Sequence, residues 1–223
     1  MRPLMPLVVA APRRILEPSE RAAEILFGVI MTMTFTGALS IADAGRDDVR
    51  LMLLGALGCN LAWGVIDGVI YLMGCRAERA EERRMFRAVR AAGSGEPMRR
   101  AVADALPPLV ARLIDDEALD RLGNRVATLP EPPRLGRLAV RDWLGAAAVC
   151  LLVLFTTFPL ALPFMLMEHV APAMRVSNAI ALAMLFATGV IYARSIGEPA
   201  WRIGTGMTLL GVVLVGLTIA LGG

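Results

Sequence analysis

Apolar residues form long runs along the chain, separated by polar segments, which is the pattern of helices that cross a lipid bilayer. A bilayer core about 30 Å thick needs roughly 20 helical residues, and apolar runs of that length indicate transmembrane helices. Only one formal charge, Asp67, lies inside these runs. The pattern predicts an all-α polytopic membrane protein with five transmembrane helices, at residues 25–42, 51–75, 143–167, 176–193 and 203–223.

A polar stretch of about 68 residues separates the second span from the third. Breakers at Gly93–Gly95 and at Pro107–Pro108 interrupt it, and apolar positions at helical spacing lie between the breaks. We therefore predict a small domain of three helices, the last one over residues 116–128. The predicted organisation is an N-terminal cytoplasmic or interfacial segment (1–20), helices one and two (21–75), the three-helix domain (76–142) and helices three to five (143–223).

Composition narrows the function classes. The chain is 57% hydrophobic and 19% charged, which argues against both a disordered protein and a soluble enzyme. No nucleophile–base pair or metal-hydrolase motif is present, so we do not expect an enzyme, and no resident cofactor is predicted. A net charge of +3 without a recognition motif gives no reason to expect a nucleic-acid partner.

The basic residues predict an orientation in the membrane. All 23 are arginines, and 20 of them lie in the N-terminal segment, in the 76–142 region and in the turn before the last span. Cytoplasmic segments carry the excess of basic residues, so these parts are expected in the cytoplasm and the C-terminus outside. We expect an integral protein of a bacterial inner membrane.

Asp67 is the most informative residue of the apolar runs. An isolated charge near the bilayer centre costs on the order of 2.5–3.5 kcal/mol, so a proton, a partner, water or a bound cation must offset it. Asn60, Gly64, Asp67 and Tyr71 share one helix face. A structural alternative is a protonated or hydrogen-bonded aspartate that only joins helices.

The first span carries a matching polar face. Glu24 at its cytoplasmic edge begins a four-residue repeat of small and hydroxyl residues, which indicates either an ion path or close helix packing. Counting residues from the cytoplasmic edge places Met31, Thr32 and Asp67 near one depth. A thioether, a hydroxyl and a carboxylate together suit Fe²⁺ or Mn²⁺. The candidate metal ligands are Asp67, Glu24, Met31, Thr32 and Asn60.

Weaker candidates lie elsewhere in the chain. Met165, Met167, Glu168 and His169 form a possible exit site at the outer end of span three, although a solvent-facing helix end is the plainer interpretation. The two prolines of span three remove backbone hydrogen bonds, which indicates either a discontinuous helix of the kind found at transport sites or a kink with no role in transport. Acidic residues at 115–120 suit either a helix N-terminus or a metal. Met33 and Met73 are considered as ligands, with packing the simpler role.

Several strings resemble the vacuolar iron transporter family. They are ERAAEILFG in span one, CRAER after span two, FPLALPF in span three, LFATGVIYAR in span four and WRIGTGMTLLG in span five. The resemblance implies a dimer that exchanges Fe²⁺ or Mn²⁺ for protons and moves metal out of the cytosol. It implies a path of carboxylates and methionines on spans one and two, and an acidic cytoplasmic domain that collects metal.

Two departures from the family pattern leave a second function open. Met31 stands where the family carries an aspartate, and residues 76–142 hold 14 arginines against 11 acidic residues. The first hypothesis is a homodimeric exporter of a divalent metal by proton exchange, in which Glu24 recruits the ion and Asp67 alternates between ion and proton. The alternative is a transport-inactive membrane scaffold whose Arg-rich domain binds a protein partner or anionic lipid.

Overall fold

A computed structural model describes residues 16–37, 45–130 and 138–220. Within these residues the secondary structure is helical, with no strand, which confirms the all-α prediction. The N-terminal segment 1–15 and the outer ends of the predicted first and fifth spans lie outside the described residues. The helices are α1 (Pro18–Gly37), α2 (Arg46–Ala91), α3 (Glu96–Asp104), α4 (Pro108–Leu113), α5 (Asp116–Thr128), α6 (Val140–Leu166), α7 (Val170–Ile196) and α8 (Ala200–Ala220).

The chain divides into two compact units. Of the described residues, the first contains 16–37, 45–71 and 140–220, and the second contains 72–130 and 138–139. The first unit is a bundle of α1, the N-terminal part of α2, α6, α7 and α8. One apolar cluster joins Val29 and Met33 of α1 to Leu160 of α6 and Leu185 of α7, with Met207 of α8 packed against it. These side chains fix the relative positions of four of the helices.

Small residues let the helices of the bundle approach closely. A side chain on Gly28 would collide with Thr156 and with the backbone of α6, and one on Gly64 would lie 2.9 Å from the carbonyl oxygen of Cys150. A Cβ on Gly189 would lie 2.8 Å from the Cα of Gly204. Glycines at such crossings are typical of membrane helix pairs, where packing drives association. The four-residue repeat of α1 is therefore a packing face, buried at Gly28 and beyond.

Four described helices are long and apolar enough to cross a membrane: α2, α6, α7 and α8. Large apolar side chains cover their outer faces, for example Phe155 at 60% exposed and Ile191 at 65%. Such a surface would be unstable in water and suits lipid. The predicted first span coincides with α1 over residues 25–37, and residues 38–42 lie outside the described part.

The prolines of span three do not divide it into two helices, so the interpretation as a discontinuous helix is wrong. Helix α6 continues through Pro159 and Pro163 to Leu166. Side chains around it supply polar contacts to its backbone: the hydroxyl of Ser177 on α7 donates to the carbonyl of Leu160 at 2.8 Å. The carbonyls that lose their helical donor are those of Phe155 and Pro159, four residues before each proline, so the bond from Ser177 ties α7 to α6 and does not replace a lost one.

The second unit is a small helical cluster formed by the end of α2 with α3, α4 and α5. Val89, Met98, Val102 and Leu119 form its core. The structure ends α2 at Ala91 and places α5 over the predicted residues, and Pro107–Pro108 separates a short helix, α4, from α3. Gly95, at the start of α3, has a φ of 74°, a left-handed conformation that glycine adopts without strain.

Candidate functional site

Two carboxylates meet between α1 and α2. Helix α1 and the N-terminal part of α2 run antiparallel, and this register brings Glu24 and Asp67 close enough for their side chains to interact directly. Both side chains are partly buried. Glu20, one turn before Glu24 on α1, adds a third negative charge near the pair. The sequence named both residues of the pair, on separate helices, and the structure brings them together.

Among the described residues, no basic side chain forms an ion pair with Glu24 or Asp67. Atom Oε2 of Glu24 is buried and has no hydrogen-bond partner among the described residues. Two carboxylates in contact cannot both stay charged at low cost, because their repulsion grows as solvent is excluded. A proton held between them or a cation bound to both would remove that repulsion. The acidic pair is thus a site for either kind of ligand.

A second polar cluster lies about 10 Å along α2 from the acidic pair, since seven residues separate Asn60 from Asp67. Asn60 is fully buried, and its Nδ2 donates to the Oγ1 of Thr32 at 2.9 Å, to the carbonyl of Gly28 at 3.3 Å and to Thr157 of α6. The hydroxyl of Thr32 in turn donates to the carbonyl of Gly28 at 2.8 Å. Atom Oδ1 of Asn60 has no partner in the described residues.

A sulfur pair lies next to this cluster along the chain. The thiol of Cys59 is 3.2 Å from the Sδ of Met31, and both side chains are partly buried. The thioether of Met31 therefore contacts the thiol of Cys59, which is the residue before Asn60. Soft sulfur ligands and the oxygen ligands of Thr32 and Asn60 occupy the same level of the bundle.

The structure differs from the predicted depths. Counting residues placed Asp67 level with Met31 and Thr32, but the antiparallel register pairs Asp67 with Glu24 and Asn60 with Thr32. Helix α1 begins at Pro18, seven residues before the predicted span, so the apolar run was a poor guide to its register. The five predicted ligands form two levels of one helix interface.

Two residues of this interface were missed by the sequence analysis. Thr157 receives the hydrogen bond from Asn60, and Cys59 contacts Met31. The paired threonines Thr156 and Thr157 interrupt an otherwise apolar run, and that signal could have marked α6 as the third helix of the site. The contact of Cys59 depends on the register of two helices, which no local pattern gives.

The weaker candidates have structural roles or stand apart. Met33 is buried in the bundle core and Met73 is 64% exposed. Glu168 and His169 are exposed at the end of α6, where His169 is the residue before α7. Over residues 16–37, 45–130 and 138–220, no group of three or more His, Cys, Asp or Glu side chains is placed to hold a metal ion.

The acidic residues before and within α5 stabilise the helices of the second unit. Asp115 caps α5 by accepting from the backbone N–H of Ala118 at 2.8 Å. Arg99 of α3 binds Asp116 at 2.8 Å and Asp120 at 3.1 Å, which ties α3 to α5. The carboxylates of Asp115, Asp116 and Asp120 therefore all make contacts within the protein, as expected near a helix N-terminus.

Comparison with known proteins identifies the family. A sequence profile of the VIT family matches residues 76–223, about two thirds of the chain. The chain belongs to the VIT family. This confirms the resemblance to vacuolar iron transporters and makes the chain a member of a family of membrane metal-ion transporters, not enzymes. A search of curated proteins finds no match. The match begins at residue 76, so both carboxylates of the acidic pair precede it.

Proposed function

We propose that this VIT-family protein exports Fe²⁺ or Mn²⁺ from the cytosol in exchange for protons, and that it works as a homodimer. The observation that carries the proposal is the contact between Glu24 and Asp67, with a buried carboxylate oxygen left without a partner. In a bundle of apolar helices, such a pair is expected to be functional. Family membership favours transport over the scaffold function.

The proposed topology has five spans, with α1 as the first, in a bacterial inner membrane. The arginine distribution supports a cytoplasmic N-terminus and second unit and an outer C-terminus. Glu24 and Asp67 then lie near the cytoplasmic side, because α1 runs outward from Pro18 and α2 returns inward. The acidic pair would be the first intramembrane site that a cytosolic cation meets.

Exchange of metal for protons follows from the negative charges of Glu24 and Asp67. A divalent cation bound between the two carboxylates replaces the protons that otherwise neutralise them, so ion binding and proton release are coupled at one site. Glu24 recruits the ion and Asp67 alternates between ion and proton. The ion then passes to the level of Asn60 and Thr32, where the unpartnered amide oxygen and the thioether of Met31 supply further ligands.

Proteoliposomes that contain a metal-sensitive dye and a pH-sensitive dye test the proposal. Addition of Fe²⁺ or Mn²⁺ should drive metal uptake and an opposite proton flux, and Asp67→Asn and Glu24→Gln should each reduce both fluxes to the level of empty liposomes. Asp47→Asn, which removes an exposed carboxylate at the start of α2, is the matched control and should leave both unchanged. Normal transport by Asp67→Asn would overturn the mechanism.

A further inference from the structure

A cavity of about 510 Å³ opens on the flank of the first unit between α2, α6 and α7. Apolar side chains of the three helices form most of its wall, and Thr157 lies at its inner end. Phe158 is 50% exposed and Leu54 is 55% exposed, so the cavity faces the bilayer and not the centre of the bundle. It is separate from the acidic pair, because neither Glu24 nor Asp67 lines it.

The length of the cavity matches one leaflet of a bilayer. Along α6 it extends from Glu168 to Thr157, and along α2 from Arg46 to Leu57. Eleven residues of helix span about 16 Å in both cases. Half of a hydrocarbon core about 30 Å thick is about 15 Å. A lipid chain that entered at the helix ends would reach the inner end of the cavity.

The mouth of the cavity carries charges of both signs. Arg46 and Arg50 lie on one face of α2 and line the cavity, whereas Asp47 and Asp48 between them do not. Glu168 lines it from the end of α6. Among the described residues no ion pair joins these three side chains to each other or to other groups, and all three are exposed. A ligand that carries an anion and a cation would satisfy them together.

The N-terminus of α7, whose first turn carries no acidic residue, adds to the attraction for an anion at the mouth, whereas Asp47 and Asp48 in the first turn of α2 oppose it there. Both α2 and α7 begin there, at Arg46 and Val170, and each lines the cavity with its first residue. His169 precedes α7 without a side-chain hydrogen bond to its first turn. The free N–H groups and the dipole at such an end favour a phosphate.

From this arrangement we propose that the cavity binds one phospholipid with an amine-bearing headgroup, of the phosphatidylethanolamine class. Its phosphate lies between Arg46, Arg50 and the start of α7, its ammonium contacts Glu168, and one acyl chain fills the apolar cavity as far as Thr157. Arginine and a carboxylate form charge-assisted hydrogen bonds with these two groups. The bound lipid covers the side of α6 whose Thr157 accepts the hydrogen bond from Asn60.

Native mass spectrometry of the purified, delipidated protein tests this site. Phosphatidylethanolamine, phosphatidylcholine and phosphatidylglycerol with the same acyl chains are added in equal amounts, and the bound lipid is counted. The ethanolamine lipid should be retained at one molecule per chain and should bind roughly tenfold more tightly than the other two, since only its ammonium donates charge-assisted hydrogen bonds to Glu168. The hydroxyls of phosphatidylglycerol are neutral donors, and the ammonium of phosphatidylcholine has no N–H. Equal retention of all three lipids would overturn the proposal.

Substitutions separate the two halves of the headgroup site. The double variant Arg46→Gln/Arg50→Gln should lose retention of all three lipids, and Glu168→Gln should keep binding but lose the preference for ethanolamine. Arg175→Gln is the matched control, because Arg175 is an exposed arginine of α7 that does not line the cavity. Loss of retention in the control to the same extent would show a general surface effect and reject the site.

Two further arms exclude other occupants and keep this test independent of transport. Inorganic phosphate added alone should not displace the lipid, and its displacement at millimolar concentration would mean that the site is for a free anion. Asp67→Asn should retain the lipid as the parent protein does, whatever it does to metal flux. A failure of the transport mechanism and a failure of the lipid site therefore give different results.

Discussion

Asn60 and Thr32 are joined by a 2.9 Å hydrogen bond across the interface of α1 and α2. This bond sets the register of the two helices, and the same register brings Asp67 to Glu24 seven residues further along α2. Asn60 also donates to Thr157, so one buried amide connects three helices. Because amide contacts are specific in direction and length, this network fixes the position of the candidate site more firmly than apolar packing alone.

Replacement of Asn60 by alanine should destabilise the bundle. The two N–H groups of its amide are shared among the hydroxyls of Thr32 and Thr157 and the carbonyl of Gly28, and these acceptors lose that donor in a fully buried position. The expected cost is about 1–3 kcal/mol, and thermal unfolding in detergent would record it as a lower apparent Tm. Thr34→Ala is the control, since Thr34 is exposed and bonds only within its own helix. Equal changes in the two variants would contradict the network.

A glycine pair on α2 tests the close approach of α2 to α6. A Cβ on Gly64 would lie 2.9 Å from the carbonyl oxygen and 3.1 Å from the Cα of Cys150, and backbone atoms cannot move aside cheaply. Gly64→Ala should therefore cost about 1–3 kcal/mol. At Gly58 a Cβ meets nothing within 4 Å, so Gly58→Ala should stabilise α2 by up to about 1 kcal/mol through helix propensity. Opposite signs in thermal unfolding are the expected result.

Much of the helix layout follows from local signals in the sequence. The third helix predicted in the polar region has the same bounds as α5. Asp115 caps its first turn, and Leu129 and Pro130 follow its last residue. The apolar runs locate α6, α7 and α8 because each is long enough to cross a bilayer. Asp67 was identified because a charge is costly among apolar residues, and Glu24 because it begins the polar four-residue repeat of the first span.

The sequence was less informative where the outcome depends on contacts between helices. The prolines of α6 indicated either a discontinuous helix or a kink, and the choice between them depended on packing that local sequence does not give; α6 runs through both prolines as one helix. The depth of Asp67 was misjudged because helix register comes from contacts such as that of Asn60 with Thr32, and residue counts from an assumed membrane edge do not give it. The lipid-facing cavity requires three helices at once, so no local pattern indicates it.

The ion pairs of Arg99 should stabilise the second unit modestly. Asp120 and Asp116 raise the pKa of Arg99, so its contribution is complete throughout the neutral range and is lost only as the pH rises, in strong alkali, through the higher pKa of the folded state. Arg99→Gln should therefore speed amide exchange in α3 and α5 by a factor that is equal at pH 6 and pH 9. The effect should shrink in high salt, because salt screens exposed charges.

The control for this prediction is Arg121→Gln. Arg121 binds Glu117 at 2.7 Å within α5, and both side chains are more than 60% exposed. Removing this local pair should change amide exchange less than removing Arg99, which joins two helices. If the two variants exchange alike in α3, the link between α3 and α5 does not depend on Arg99.

Neutralising one member of the acidic pair should stabilise the metal-free protein while it removes metal binding. Either Asp67→Asn or Glu24→Gln relieves the repulsion between the two carboxylates and lets an amide donate to the remaining one. Solvent screens these partly buried side chains, so the gain at neutral pH is on the order of 1 kcal/mol.

Each single variant should show a higher apparent Tm without metal and should lose the rise in Tm that Mn²⁺ gives the parent protein. The double variant should be no more stable than either single variant, because the repulsion is already gone after one change. A gain that adds across both positions, or a Mn²⁺ response that survives in both single variants, would mean that the two carboxylates do not act as one site.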